Sequence, residues 1–290
     1  MKKVLPFALI GLMLLGGLGL LFYPDIAHYL NDRNMSGLIQ EFHEEVRGLT
    51  EDEIAEQFRL AEAYNESLTG FAIEDPFVPN SGAVIAPAAY LAALSTGNMM
   101  ARLQIPSREI DLPVFHTTAS AVLDRGVGHI EATSLPIGGS STHAVLTGHS
   151  GLTYHQMFNG LLDMETGEQF FITVLDRTLA YQVDQILTVL PHQVESLQIY
   201  PGEDFVTLIT CTPYAINTHR LLVRGTRIPY EPGMVEEIEP EAEREIDWRL
   251  VVIIVIALLF LLIFIIIWIR MNANKRRRLR ARDTGWGGAR

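Results

Sequence analysis

Cys211 is the only cysteine in a chain of 290 residues, and Arg220 follows it nine positions later, across "TPYAINTH". A lone cysteine has no partner for an intramolecular disulfide, so its thiol is either a small core hydrophobe or a reactive group. The neighbouring residues favour a reactive group. In "DFVTLITC" alternate residues share a face, which sets Phe205, Thr207, Ile209 and Cys211 together and makes Cys211 the last residue of a strand. "HRLLVRG" starts a second strand near His219 and Arg220, and if the two pair as a hairpin, Cys211 and Arg220 lie close together at one end of the sheet. A cation there favours the thiolate, which is the nucleophilic form.

A cysteine nucleophile also needs an acid–base partner, usually histidine. The chain has nine histidines, and spacing alone does not choose among them. His149 stands out in "LTGHSGL", between glycines at a strand exit, where a side chain can be presented to a cleft. His143, His149 and His155 are evenly spaced but do not form a zinc pattern such as HExxH, and no metal or other cofactor is expected. Redox chemistry fits poorly, because there is no CxxC and no second cysteine to resolve an intermediate.

The elements that must hold these residues divide the chain. From Asn34 to Phe71 the pattern is helical and amphipathic, with a break near Gly48. Thr50 and Glu53 form a capping box ahead of Ile54, Phe58, Ala61 and Tyr64. "EDPFVPNSG" reads as a loop, and a short helix follows in "PAAYLAALS". From Ala101 onward, short apolar runs separated by Gly, Pro and Asp predict many short strands, hence a closed barrel or a sandwich.

Two uncharged apolar runs, Val4 to Tyr23 and Leu250 to Ile269, have the length a helix needs to cross a bilayer. The first lacks an Ala-x-Ala cleavage site and is read as a retained anchor rather than a signal peptide. Lys275, Arg276, Arg277, Arg278, Arg280 and Arg282 follow the second run and place that end in the cytoplasm, next to anionic lipid. The segment from Pro24 to Arg249 then lies outside the cell. It carries twelve arginines, no lysine and 33 acidic residues, a net charge of −21, which argues against a nucleic-acid partner.

"TLITCTP" with Arg220 nine residues after the cysteine, and "HAVLTGHSGL" around His149, resemble the two signature segments of the sortase family. The likeness runs from about Ile105 to Tyr230. "DPF" upstream of the barrel and the C-terminal apolar run point to the class C, pilus-assembling branch. The resemblance implies a mainly β fold, an eight-stranded sortase barrel with N-terminal helices, flanked here by two transmembrane helices. It implies Cys211 as nucleophile, His149 as general acid and base, Arg220 as stabiliser of substrate and oxyanion, and a lid of Asp75, Pro76 and Phe77, in which Asp75 pairs with Arg220 and the ring covers the thiol. Two residues depart from the family pattern: Ser150 stands where arginine is frequent, and Ala215 where glycine is usual.

The implied reaction cleaves an LPxTG-like sorting signal between Thr and Gly through a thioester and transfers the pilin to a lysine amine of the next pilin. A housekeeping sortase that anchors proteins to the cell wall, or a catalytically silent membrane scaffold, are the alternatives. The expected layout is an N-terminal anchor at 1–23, a helical region at 24–72, a lid loop and short helix at 73–100, and the catalytic barrel at 101–230. An acidic linker at 231–249, a membrane helix at 250–269 and a basic cytoplasmic tail at 270–290 complete it.

Overall fold

The computed structural model describes residues 5–68, 75, 77, 86–151 and 157–235, with scattered residues between 252 and 273. The chain forms two compact units, one of residues 1–26 with 242–290 and the other of residues 27–241.

The larger unit is built on a closed barrel. Its strands are β1 (Ala101–Ile105), β2 (Ile110–His116), β3 (Val127–His129), β4 (Thr142–Thr147), β5 (Gln169–Val174), β6 (Arg177–Val189), β7 (Asp204–Thr212) and β8 (His219–Ile228). Around the barrel they run β1-β2-β3-β4-β7-β8-β6-β5. Neighbours are antiparallel except β2 with β3 and β4 with β7. Closure leaves no free sheet edge. The expected barrel is therefore present. β7 runs one residue past Cys211, because Thr212 still pairs with His219.

Two helices precede the barrel. Helix α1 spans Leu5–Gly48 and passes through Pro24, so no helix end separates the expected anchor from the amphipathic segment. Met35, Ile39, Phe42 and Val46 form its buried stripe. Helix α2 (Glu51–Ser67) starts at the anticipated capping box: Glu53 N donates to Thr50 Oγ1, and Thr50 N donates to Glu53 Oε2. Phe58, Ala61 and Tyr64 bury its inner face. The Tyr64 hydroxyl donates to the Glu131 carbonyl, and Asn65 bonds both backbone groups of Leu135, which ties α2 to the chain ahead of β4. Helix α3 (Ala88–Ala92) adds Tyr90, fully buried and stacked on His129.

Among the described residues no helix is long and apolar enough to cross a membrane. The described residues of the second apolar run are helical.

Candidate functional site

Side-chain alternation gives the barrel wall two different faces. On β4, β7 and β8, the residues Ala144, Leu146, Val206, Leu208, Leu221 and Val223 join the main core. The alternate residues Val145, Ile209 and Leu222 form a second apolar cluster with Ile130 and Leu197. Cys211, Arg220 and Thr207 share the parity of this second set, so they project from the wall on the side that the β6–β7 loop covers.

Cys211 and Arg220 sit directly opposite each other in the β7–β8 ladder, and both are buried. Arg220 Nη1 donates to the carbonyls of Asn217 and His219 at 3.1 and 3.0 Å, which holds the guanidinium against the strand end. His149 leaves the end of β4, and its neighbours are bonded to the residues around the thiol. Gly148 N donates to Ile209 O at 3.1 Å, and Thr210 Oγ1 donates to Gly148 O at 2.8 Å. Ser150 Oγ donates to the Cys211 carbonyl at 2.6 Å. Gly151 has φ +80°, and a Cβ there would lie 3.1 Å from Ala215 N, so glycine lets the histidine loop pass close to the β7–β8 loop.

Asp75 and Phe77 lie over this cluster. Asp75 Oδ2 is 2.8 Å from Arg220 Nε, in a pair whose side chains are 6% and 8% exposed. Neither atom completes a hydrogen bond of acceptable angle, so charge rather than directional bonding holds the contact. Asp75 Oδ1 accepts from Phe77 N at 2.9 Å, an Asx turn that fixes where the ring points. The Phe77 ring lies 5.4 Å from the His149 ring, and the Arg220 Cζ sits 5.2 Å from the Phe77 ring centre. Asp75, Phe77, His149, Cys211 and Arg220 are thus brought together. Pro76 and His155 lie outside the described residues.

Burial sets the protonation state of the pair. It pushes the Cys211 thiol above its ordinary value; Arg220 pulls the other way, and Asp75 adds to the upward push. Burial also holds His149 below the usual imidazole range, with Asp124 opposing. With Asp75 in place, both shifts favour a neutral thiol beside a neutral imidazole.

An apolar cavity adjoins the ion pair, lined by Asp75 and Arg220 together with Val189, Leu190, Val194 and Leu197 from β6 and the loop after it. It holds about 20 Å³, room for about one water and too little for a leucine side chain. Sequence reasoning missed this loop and the Ser150 contact. The only signal was indirect: an apolar run, "ILTVL", that continues to the strand end instead of alternating with polar residues.

The sortase domain family matches residues 103–228. A solved structure of sortase C-1 from Actinomyces oris is 46% identical, with 61% of this chain and 99% of that one covered, at a TM-score of 0.59. The chain belongs to the sortase family. A second solved sortase, the pilus-related sortase C of Group B Streptococcus, is 41% identical over 66% of this chain and 97% of that one, with a TM-score of 0.62. Both likenesses lie in the class C branch. The curated sortase A of Streptococcus agalactiae is 31% identical over 42% of this chain and 50% of its own length. This sortase thus spans about half the length of that curated relative.

Proposed function

We propose that the chain is a pilus-assembling cysteine transpeptidase. Its donor is a pilin with an LPxTG-like sorting signal, and its acceptor is a lysine of the next pilin. The support is chiefly the direct pairing of Cys211 with Arg220, beside a histidine loop bonded to the Cys211 carbonyl. Identity above 40% to two class C sortases, one of them pilus-related, adds the substrate class.

In the reaction, His149 takes the Cys211 thiol proton as the sulfur attacks the Thr carbonyl carbon of the Thr-Gly bond. The C–N bond breaks, and His149 gives a proton to the departing glycine amine. A thioester is left on Cys211. A lysine amine then attacks it, His149 accepts the amine's proton, and the thiol is released as the isopeptide bond forms. Arg220 carries the charge that develops on the carbonyl oxygen.

Asp75, Pro76 and Phe77 act as a lid that must leave before the substrate enters. With Asp75 seated, the apolar cavity is too small for the leucine of a sorting signal. A buried ion pair recovers much of its desolvation cost when one partner returns to water, so exchanging Asp75 for the substrate costs less than a 2.8 Å contact suggests.

The two apolar runs anchor the enzyme in the membrane, with the catalytic unit outside the cell and both termini in the cytoplasm. The basic tail and the bare apolar side chains of Met13, Leu20 and Leu21 support this placement.

Incubation of the purified chain with an LPxTG pilin, followed by mass spectrometry, tests the reading. Isopeptide-linked polymers that vanish in Cys211→Ala are expected. Cleavage to single pilins without polymers would instead favour a housekeeping sortase.

A further inference from the structure

His143 lies on β4, six residues before His149, and is fully buried. Both ring nitrogens are engaged. Nδ1 is 2.8 Å from the carbonyl oxygen of Gln198, and Nε2 is 2.7 Å from Thr207 Oγ1. A carbonyl only accepts, so Nδ1 carries the proton and donates, while Nε2 accepts from the Thr207 hydroxyl. The ring is therefore the neutral Nδ1–H tautomer. Burial holds its pKa at about 4, which keeps it in that state at neutral pH.

Gln198 lies in the loop between β6 and β7, directly after Leu197. Leu197 is 4% exposed and packs with Ile130, Val145, Ile209 and Leu222, and it lines the cavity beside Asp75 and Arg220. Leu190, Pro191, Gln193 and Val194, earlier in the same loop, line the cavity as well. Near the start of β7 the loop has a further tether, from Gly202 N to Ser141 Oγ at 2.9 Å. The His143–Gln198 bond is thus a polar strut from the rigid barrel to the stretch that forms the cavity wall.

We propose that His143 is a positioning residue that sets donor affinity: its Nδ1–H holds the β6–β7 loop, and through Leu197 the apolar wall that receives the leucine and proline of the sorting signal. The inference rests on the transpeptidase reading above. His143 does not touch the thiol's partners, so its effect falls on donor binding and leaves the chemical step alone. The titratable and charged groups facing it are Arg224, which lies 4.2 Å over the Phe205 ring that His143 meets edge-on, and Asp184, which pairs with Arg224. Neither bonds the imidazole, so the strut works through the two contacts named.

Two substitutions separate the strut from general stability. Asparagine places an amide N–H where the imidazole has Nδ1, and glutamine places one where it has Nε2. His143→Asn keeps the bond to Gln198 and loses Thr207; His143→Gln does the reverse. The full chain, purified in detergent, is assayed with an LPxTG peptide for KM and kcat, and by hydrogen–deuterium exchange over residues 190–203. For His143→Gln, KM rises about three- to tenfold with kcat within twofold of the parent, the weight of one lost hydrogen bond, and exchange in the loop accelerates. For His143→Asn both readouts stay near the parent. Equal KM values and equal loop exchange in the two variants would overturn the proposal. If the parent chain does not turn over the peptide, the transpeptidase reading fails, and loop exchange alone still decides whether His143 is the strut.

Discussion

Replacing Phe77 with alanine removes two ring contacts at once, the tilted pair with His149 at 5.4 Å and the cation–π contact with Arg220 at 5.2 Å. An aromatic pair contributes about 0.5–1.5 kcal/mol and a cation–π contact about 0.5–2 kcal/mol, the higher value when desolvated, as Arg220 is here. On the lid reading proposed above, together they hold it closed by roughly 1–3 kcal/mol beyond what Asp75 supplies, so their loss shifts the open fraction about 5- to 150-fold. Only the open form exposes Cys211 to a small alkylating agent, and while that form is rare the alkylation rate rises in proportion. The assay is the pseudo-first-order rate of iodoacetamide modification at pH 8, followed by intact mass, with denatured protein as the reference for full access. An increase of at least fivefold is expected. A rate within twofold of the parent would refute the idea that the ring covers the thiol.

Asp75→Asn removes the carboxylate that raises the Cys211 pKa and leaves Arg220 to lower it, so the pH midpoint of alkylation moves to lower pH; a midpoint that stays or rises contradicts this. Arg220→Ala lowers kcat about 10²- to 10³-fold on the scale of a lost oxyanion donor, and Arg220→Lys recovers little because the planar fork is lost, as steady-state cleavage of an LPxTG peptide would report. Ala215 has φ +61°, in the left-handed region, so Ala215→Gly raises stability by up to about 1 kcal/mol in denaturant melts, and a decrease would remove the argument. His129 and His143 are held at about 3 and about 4 in the folded chain by burial, below the ordinary 6.5. The unfolded chain therefore binds more protons below that value, and stability falls as pH drops. The loss is on the order of 2 kcal/mol per histidine by pH 5, seen as a melting midpoint lower at pH 5 than at pH 7.

The parts of the site that follow from short-range pattern were legible in the sequence. Period-two alternation placed Cys211 and Ile209 on one face of β7, and the return strand put Arg220 opposite the cysteine. The Thr50–Glu53 cap likewise depends on residues three apart and was read correctly. What escaped depends on contacts between distant residues. Leu197 meets Ile209 only because the barrel brings the β6–β7 loop back over β7, and no local pattern encodes that return. Ser150 differs from the family's arginine, yet its bond to the Cys211 carbonyl becomes visible only once β4 and β7 lie parallel. The continuous helix through Pro24 was also not anticipated, since the anchor and the amphipathic segment were read as separate stretches.

In the proposed reaction Cys211 forms a thioester with the cleaved donor, with His149 supplying the proton. Trapping tests it most directly: the full chain is mixed with an LPxTG peptide in the absence of any amine acceptor, quenched in acid and analysed by intact mass and peptide mapping. The expected product is an adduct of the peptide up to its threonine, located on Cys211, removed by hydroxylamine and absent from both Cys211→Ala and His149→Ala. Peptide cleavage without any adduct on Cys211, or an adduct that persists in Cys211→Ala, would contradict it.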